Sequence, residues 1–220
     1  MNRLVLWLWF GCIVRPIVRL LIGVSVLGRG NLSIEKPSII VANHNSHLDT
    51  AVLMSLFPLR DLPRIRPVAA MDYFTGNWLR RFISLRCMNA LLIERHRVTR
   101  RTSPLETMVS VLDNGQSLVL FPEGTRGEPE VMSKFQTGVS HLAAKRPGTP
   151  VIPVFMRNLG FTLPRGELVV VPLFCDVYVG TPLSLDSQRE TAMHQLDEAF
   201  SALKQEAEER RPGASPPGDR

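Results

Sequence analysis

Cysteine is scarce and poorly placed for cross-linking. Cys12, Cys87 and Cys175 are three in number, far apart and without C-x-x-C spacing. That argues against both a disulfide framework and a zinc knuckle, and for a reducing compartment. Lysine is scarce too: only Lys36, Lys134, Lys145 and Lys204 stand among the 26 basic residues, the rest being arginine. With two tyrosines and three tryptophans, no aromatics interleave with those arginines. Nucleic acid is therefore the weakest of the anionic partners that a net charge of +6 favours, behind a membrane surface or a phosphorylated substrate. No uninterrupted apolar run reaches the roughly 20 residues of a spanning helix, and no internal repeat is visible. What is present is a chain of 220 residues, 45% hydrophobic and 21% charged, sufficient for one good core and an appendage.

The appendage is N-terminal. Residues 4–14 and 20–27 are apolar runs separated by Arg15-Pro16 and Arg19. The interruption predicts a bent pair of helices in a bilayer interface, with Trp7 and Trp9 at headgroup depth and the arginines reaching lipid phosphates. Two rival readings exist. Met1-Asn2-Arg3 resembles the start of a signal peptide, but Arg15-Pro16 stands where a small-residue cleavage site belongs. A buried core helix is the other rival.

From residue 31 onward, β-type runs alternate with helical patterns. Residues 38–42, 66–70, 89–93, 117–121, 151–156 and 168–174 read as strands, which predicts an α/β fold with a mostly parallel mixed sheet flanked by helices. A helix between the third and fourth strands opens with a Ser103/Glu106 capping box and Pro104, and stops at Asn114-Gly115. Its apolar face is Leu105, Met108, Val109 and Leu112. Another opens at Ser187, with Glu190 three residues on, and buries Met193, Leu196, Phe200 and Leu203. The expected organisation is an interfacial segment over 1–29, one domain over 30–209 and a disordered polar tail over 210–220.

Two polar blocks follow apolar strands. In Asn43-His44-Asn45-Ser46-His47-Leu48-Asp49, a turn after the strand lets the Asp49 carboxylate fold back onto the His44 ring. One ring nitrogen is then bound and the other held as an acceptor, which makes a general base suited to neutral pH. In Phe121-Pro122-Glu123-Gly124-Thr125-Arg126, Gly124 permits close approach of backbone N–H groups to an oxyanion, Thr125 adds a hydroxyl and Arg126 a bidentate fork. Arg95, at the end of another strand, offers a second guanidinium. Ser46 near His44 suggests a nucleophile, but no G-x-S-x-G elbow surrounds it and turn capping is its better role.

In this order and spacing the blocks resemble the glycerolipid acyltransferases typified by 1-acylglycerol-3-phosphate acyltransferase, over residues 30 to 157. The first block matches N-H-x-S-x-x-D, the second matches F-P-E-G-T-R, Val151-Ile152-Pro153-Val154 is similar to a later V-I-P-V strand, and Lys134-Phe135-Gln136-Thr137-Gly138 resembles the segment that follows the second block. The middle block departs: Asn89-Ala90-Leu91-Leu92-Ile93-Glu94-Arg95 stands where the family has glycine, apolar residues and D-R, and Gly127 replaces a frequent serine.

The resemblance implies acyl transfer from an acyl-CoA or acyl-carrier-protein thioester to a lysophospholipid hydroxyl, with 1-acylglycerol-3-phosphate foremost. No metal or further cofactor is implied. His44 and Asp49 would be catalytic, and Arg95, Glu123, Gly124, Thr125 and Arg126 would hold the acceptor phosphate. A membrane-associated location on the cytoplasmic face follows. Another lyso-lipid or an acylated amino acid is an alternative acceptor. From different classes come a metal-dependent hydrolase using His44, His47 and Asp49, and an inactive lipid-binding module.

Overall fold

The computed structural model describes residues 3–46, 48–71, 78–94, 103–124, 132–159 and 174–210. Seven strands, β1 (Val24–Leu27), β2 (Ile39–Ala42), β3 (Ile65–Ala70), β4 (Leu91–Ile93), β5 (Ser117–Leu120), β6 (Val151–Arg157) and β7 (Cys175–Val179), form one sheet in the order β1-β7-β6-β2-β5-β3-β4. Among these described strands only β6 and β7 pair antiparallel, the others being parallel. The mostly parallel mixed sheet expected from the sequence is present.

β2 lies near the middle and is buried on both faces. Side chains alternate across a strand, so Ile39 and Val41 pack with α5 (Pro104–Asp113), α6 (Gly138–Lys145) and α7 (Arg189–Glu209). Ile40 and Ala42 pack instead with the N-terminal helix and α3 (Asp49–Ser55). The result is three layers, helix on sheet on helix.

The N-terminal segment differs from the expected helical pair. α1 (Arg3–Leu8), π turns Trp9–Val14, α2 (Arg15–Ile17) and π turns Val18–Ile22 run on without leaving the right-handed helical region. The wider turns let the helix pass Pro16, which has no N–H to give. Leu6, Phe10, Val14, Val18 and Ile22 form a stripe inside the core, while Leu4, Trp7, Leu8, Ile13, Ile17 and Leu20 are exposed. One face therefore behaves as a core helix and the other leaves apolar surface uncovered. Trp9 packs against the core rather than standing out from it. Arg15 turns inward to donate to Phe57 O, and burial, with Arg19 and Arg29 nearby, lowers its pKa. No helix among the described residues is long and apolar enough to cross a membrane.

Residues 24–27, read from the sequence as part of the apolar helical run, are instead strand β1. Gly23, at φ 55, ends the helix, and the branched Val24 and Val26 suit the strand that follows. β1 joins the sheet through β7, in the register Val24↔Cys175 to Leu27↔Tyr178. The expected strand at 168–174 falls outside the described residues except for Phe174, which is not in a strand. β7 begins one residue later, and the charged Asp176 within it hides the apolar alternation.

Helix starts also differ in detail. Ser103 occupies the N-cap of α5 without a capping bond from its side chain, and Glu106 pairs with Lys145 instead of closing a box. α7 starts at Arg189, with Gln188 as its N-cap held by Asp186 Oδ1. Met193 is only partly buried. The tail beyond residue 210 lies outside the described residues.

Candidate active site

β2 and β5 pair in parallel, Ile39↔Leu118 through Val41↔Leu120, so the residues that follow each strand emerge side by side at the carboxyl edge of the sheet. The Phe121 ring stacks on the His44 imidazole with centroids 4.3 Å apart and planes at 25°. On the other flank of β2, the Asn43 amide donates to Met156 O at 2.8 Å and accepts from Met156 N at 2.7 Å. That double bond pattern mimics a strand partner and fastens the end of β2 to β6. Neither Phe121 nor Asn43 was singled out from the sequence as part of the site.

The turn between β2 and α3 closes on a single carboxylate oxygen. Asp49, the first residue of α3 and 1% exposed, receives at Oδ2 the Asn45 N–H at 2.7 Å and the Ser46 N–H at 2.8 Å, with His44 Nδ1 at 2.8 Å. A carboxylate only accepts, so the proton between them sits on Nδ1 and Nε2 presents its lone pair. The His44 side chain keeps 21% of its surface exposed. Ser46 Oγ accepts from Leu48 N at 3.2 Å, a local turn bond that matches the capping role expected of it.

Glu123 sits beneath this pair, only 5% exposed. Its Oε1 accepts from the His44 N–H at 2.8 Å and its Oε2 from the Ser133 N–H at 2.9 Å. Burial pushes its carboxyl pKa up, against the opposing pull of the two N–H bonds and of His44. The sequence groups Glu123 with the phosphate contacts, but both of its oxygens are engaged by backbone amides. Its place is that of a clasp between the histidine turn and the chain after the second block. Gly124 follows at φ 75, where a Cβ would have room but an unfavourable backbone, and its N–H closes a turn onto Phe121 O at 3.1 Å.

Arg95, Thr125, Arg126 and His47 lie outside the described residues. β4, the strand before Arg95, ends at the same sheet edge but stands three strand spacings from β2, roughly 14 Å. The expected strand start at Asn89 is corrected to Leu91. Asn89 itself adopts φ 59, the left-handed region that asparagine tolerates next best after glycine. Its Nδ2 donates to the carbonyls of Leu62, Pro63 and Ile65, tying the start of β3 to the approach of β4. The departure from glycine at this position is thereby accommodated.

Known proteins share sequence or fold with much of the chain. The acyltransferase family model matches residues 23–157, from the turn before β1 to the end of β6. The chain is 33% identical over 147 residues to a 1-acyl-sn-glycerol-3-phosphate acyltransferase of Chlamydomonas reinhardtii, covering 66% of this chain and 41% of that protein. It is 29% identical over 169 residues to 1-acyl-sn-glycerol-3-phosphate acyltransferase alpha of Mus musculus, covering 75% and 56%. The chain thus spans about half the length of the curated relatives it matches. The crystal structure of the 1-acyl-sn-glycerophosphate (LPA) acyltransferase PlsC from Thermotoga maritima superimposes with a TM-score of 0.73 over 93% of this chain and 80% of that one, at 20% identity. This last likeness supports the fold.

Proposed function

The chain belongs to the acyltransferase family, and from that premise we propose that it moves a fatty acyl group from an acyl-CoA or acyl-carrier-protein thioester to the free hydroxyl of 1-acylglycerol-3-phosphate, giving phosphatidic acid. The observation that carries the mechanism is the 2.8 Å contact between His44 Nδ1 and a buried, triply hydrogen-bonded Asp49 Oδ2. His44 Nε2 takes the proton of the acceptor hydroxyl as its oxygen attacks the thioester carbonyl. The new C–O bond forms, the C–S bond breaks, and the imidazolium returns the proton to the leaving thiolate. Asp49 holds the ring's orientation and stabilises the positive charge that forms on it.

Phosphate holding falls to Gly124, Thr125 and Arg126, with Arg95, so that the acceptor's anionic head fixes its attacking oxygen. Glu123 acts one step back, keeping the His44 backbone against this turn. The names of the relatives favour lysophosphatidic acid as acceptor. The exposed apolar face of the N-terminal helix supports work at a membrane surface, taken in this proposal to be the cytoplasmic one.

The test is mass spectrometry of lipids made by the purified full chain from mixed acyl thioesters and mixed lyso-lipids. Phosphatidic acid as the main product is expected. Preference for another lyso-lipid would replace the acceptor assignment. Binding without transfer to any acceptor would point to a lipid-binding module, and free fatty acid as the main product would point to a hydrolase.

A further inference from the structure

A second basic site lies at the opposite edge of the sheet. Arg66 is the second residue of β3 and Gln116 immediately precedes β5, so both stand at the amino ends of parallel strands, whereas His44 and Phe121 follow carboxyl ends. Five residues of extended chain, about 16 Å, separate Gln116 from Phe121. Between them, Arg3, Pro63, Arg66, Asn89 and Gln116 line a cavity of about 360 Å³. Two of these five side chains are guanidinium groups and none is a carboxylate.

The walls are arranged rather than incidental. Arg66 Nε donates to Asn89 O at 2.9 Å and its Nη2 to Ala90 O at 3.4 Å, which orients the plane of the guanidinium. Gln116 Nε2 donates to Pro63 O at 3.3 Å. Asn89 is fixed by its three carbonyl bonds, and its buried Oδ1 has no partner among the described residues. Burial disfavours the Arg66 charge, and an anion in the cavity would offset that. Arg3 makes no hydrogen bond or ion pair among the described residues, so its guanidinium stands available on the first turn of α1.

We propose that this cavity binds a phosphate ester, with Arg3 and Arg66 gripping the phosphate oxygens. Paired guanidiniums match phosphate geometry and form charge-assisted bonds stronger than neutral ones. Arg3 directly precedes the exposed Leu4, and Trp7 and Leu8 follow on the same helix, so the phosphate is either a soluble ester or the headgroup of a lipid whose chains meet that apolar face. The site is separate from the acyl-transfer chemistry and does not depend on it.

The test uses the full chain in two arms, with wild type compared against Arg3→Gln, Arg66→Gln and the charge-keeping Arg66→Lys. Equilibrium dialysis against sn-glycerol 3-phosphate reads the soluble source. Sedimentation with phosphatidylcholine vesicles, with and without phosphatidic acid, reads the lipid source. Each Gln variant is expected to weaken binding about tenfold in at least one arm, as loss of one charged hydrogen bond implies. Arg66→Lys should weaken it less, and Arg3→Gln should leave turnover unchanged. Loss in the dialysis arm assigns a soluble ester, and loss confined to the phosphatidic acid vesicles assigns a headgroup. Should Arg66→Gln fail to fold, Arg3→Gln decides alone. Wild-type binding by Arg3→Gln in both arms overturns the proposal.

Discussion

Three donors converge on Asp49 Oδ2, two of them backbone amides of the turn that carries His44. The same oxygen therefore shapes the turn and aims the ring, and its charge is what an amide cannot replace. Asp49→Asn is expected to lower kcat by about 10²–10⁴-fold, the range for a general base deprived of its support. It should also lower stability by about 1–3 kcal/mol through a weakened buried acceptor; steady-state kinetics and denaturant unfolding check the two effects. Glu123 makes a pH prediction. Its carboxyl pKa is raised by burial, so below the ordinary carboxylate range folded and unfolded chains are both protonated and its contribution is fully present. As pH climbs through the folded value, ionising the buried group becomes unfavourable and that contribution is lost. The stability of wild type relative to Glu123→Gln should fall over that rise, measured by unfolding at several pH values, and a constant difference would contradict the assignment. The His44–Asp49 pair was legible in the sequence because its partners are five residues apart in one turn. The Glu123 clasp was not, since its acceptor oxygens find donors 79 and 10 residues away that only folding brings near.

At the scale of elements, the N-terminal helix has two unlike faces. Phe10 is wholly buried in the core cluster that also holds residues of the sheet and α3, so Phe10→Ala is expected to cost about 3–5 kcal/mol, read from denaturant unfolding. Leu20 is 82% exposed, and Leu20→Glu should change stability by no more than about 0.5 kcal/mol. The same substitution should reduce sedimentation with lipid vesicles; undiminished vesicle binding would remove this face from the membrane contact. Such a division was hidden in the sequence because residues 4–14 and 20–27 are apolar all round. Periodicity then carries no information about which side meets the core. The end of the helix was hidden for a related reason: Gly23 and two valines turn an unbroken apolar run from helix to strand, and only the partner strand β7 makes that choice favourable. The strands near the site were more legible, since residues buried on both faces of a parallel sheet read as short continuous apolar runs.

Taken as a whole molecule, the strand order places β2 between β5 and β6, so one central strand delivers His44 while its two neighbours supply the stacked Phe121 and the Asn43 fastening. The family match covers this whole assembly, whereas the N-terminal helix, β7 and α7 lie beyond it and complete the core on both faces. The proposed chemistry thus turns on one imidazole at a sheet edge, built so that removing its ring leaves the architecture standing. The direct measurement is acyl transfer from a thioester to 1-acylglycerol-3-phosphate by purified His44→Ala, alongside thermal unfolding of the same sample. Turnover lowered by at least about 10²–10⁴-fold with unfolding close to wild type is the predicted result. Near-normal turnover in the folded variant would contradict the assignment of His44 as the base.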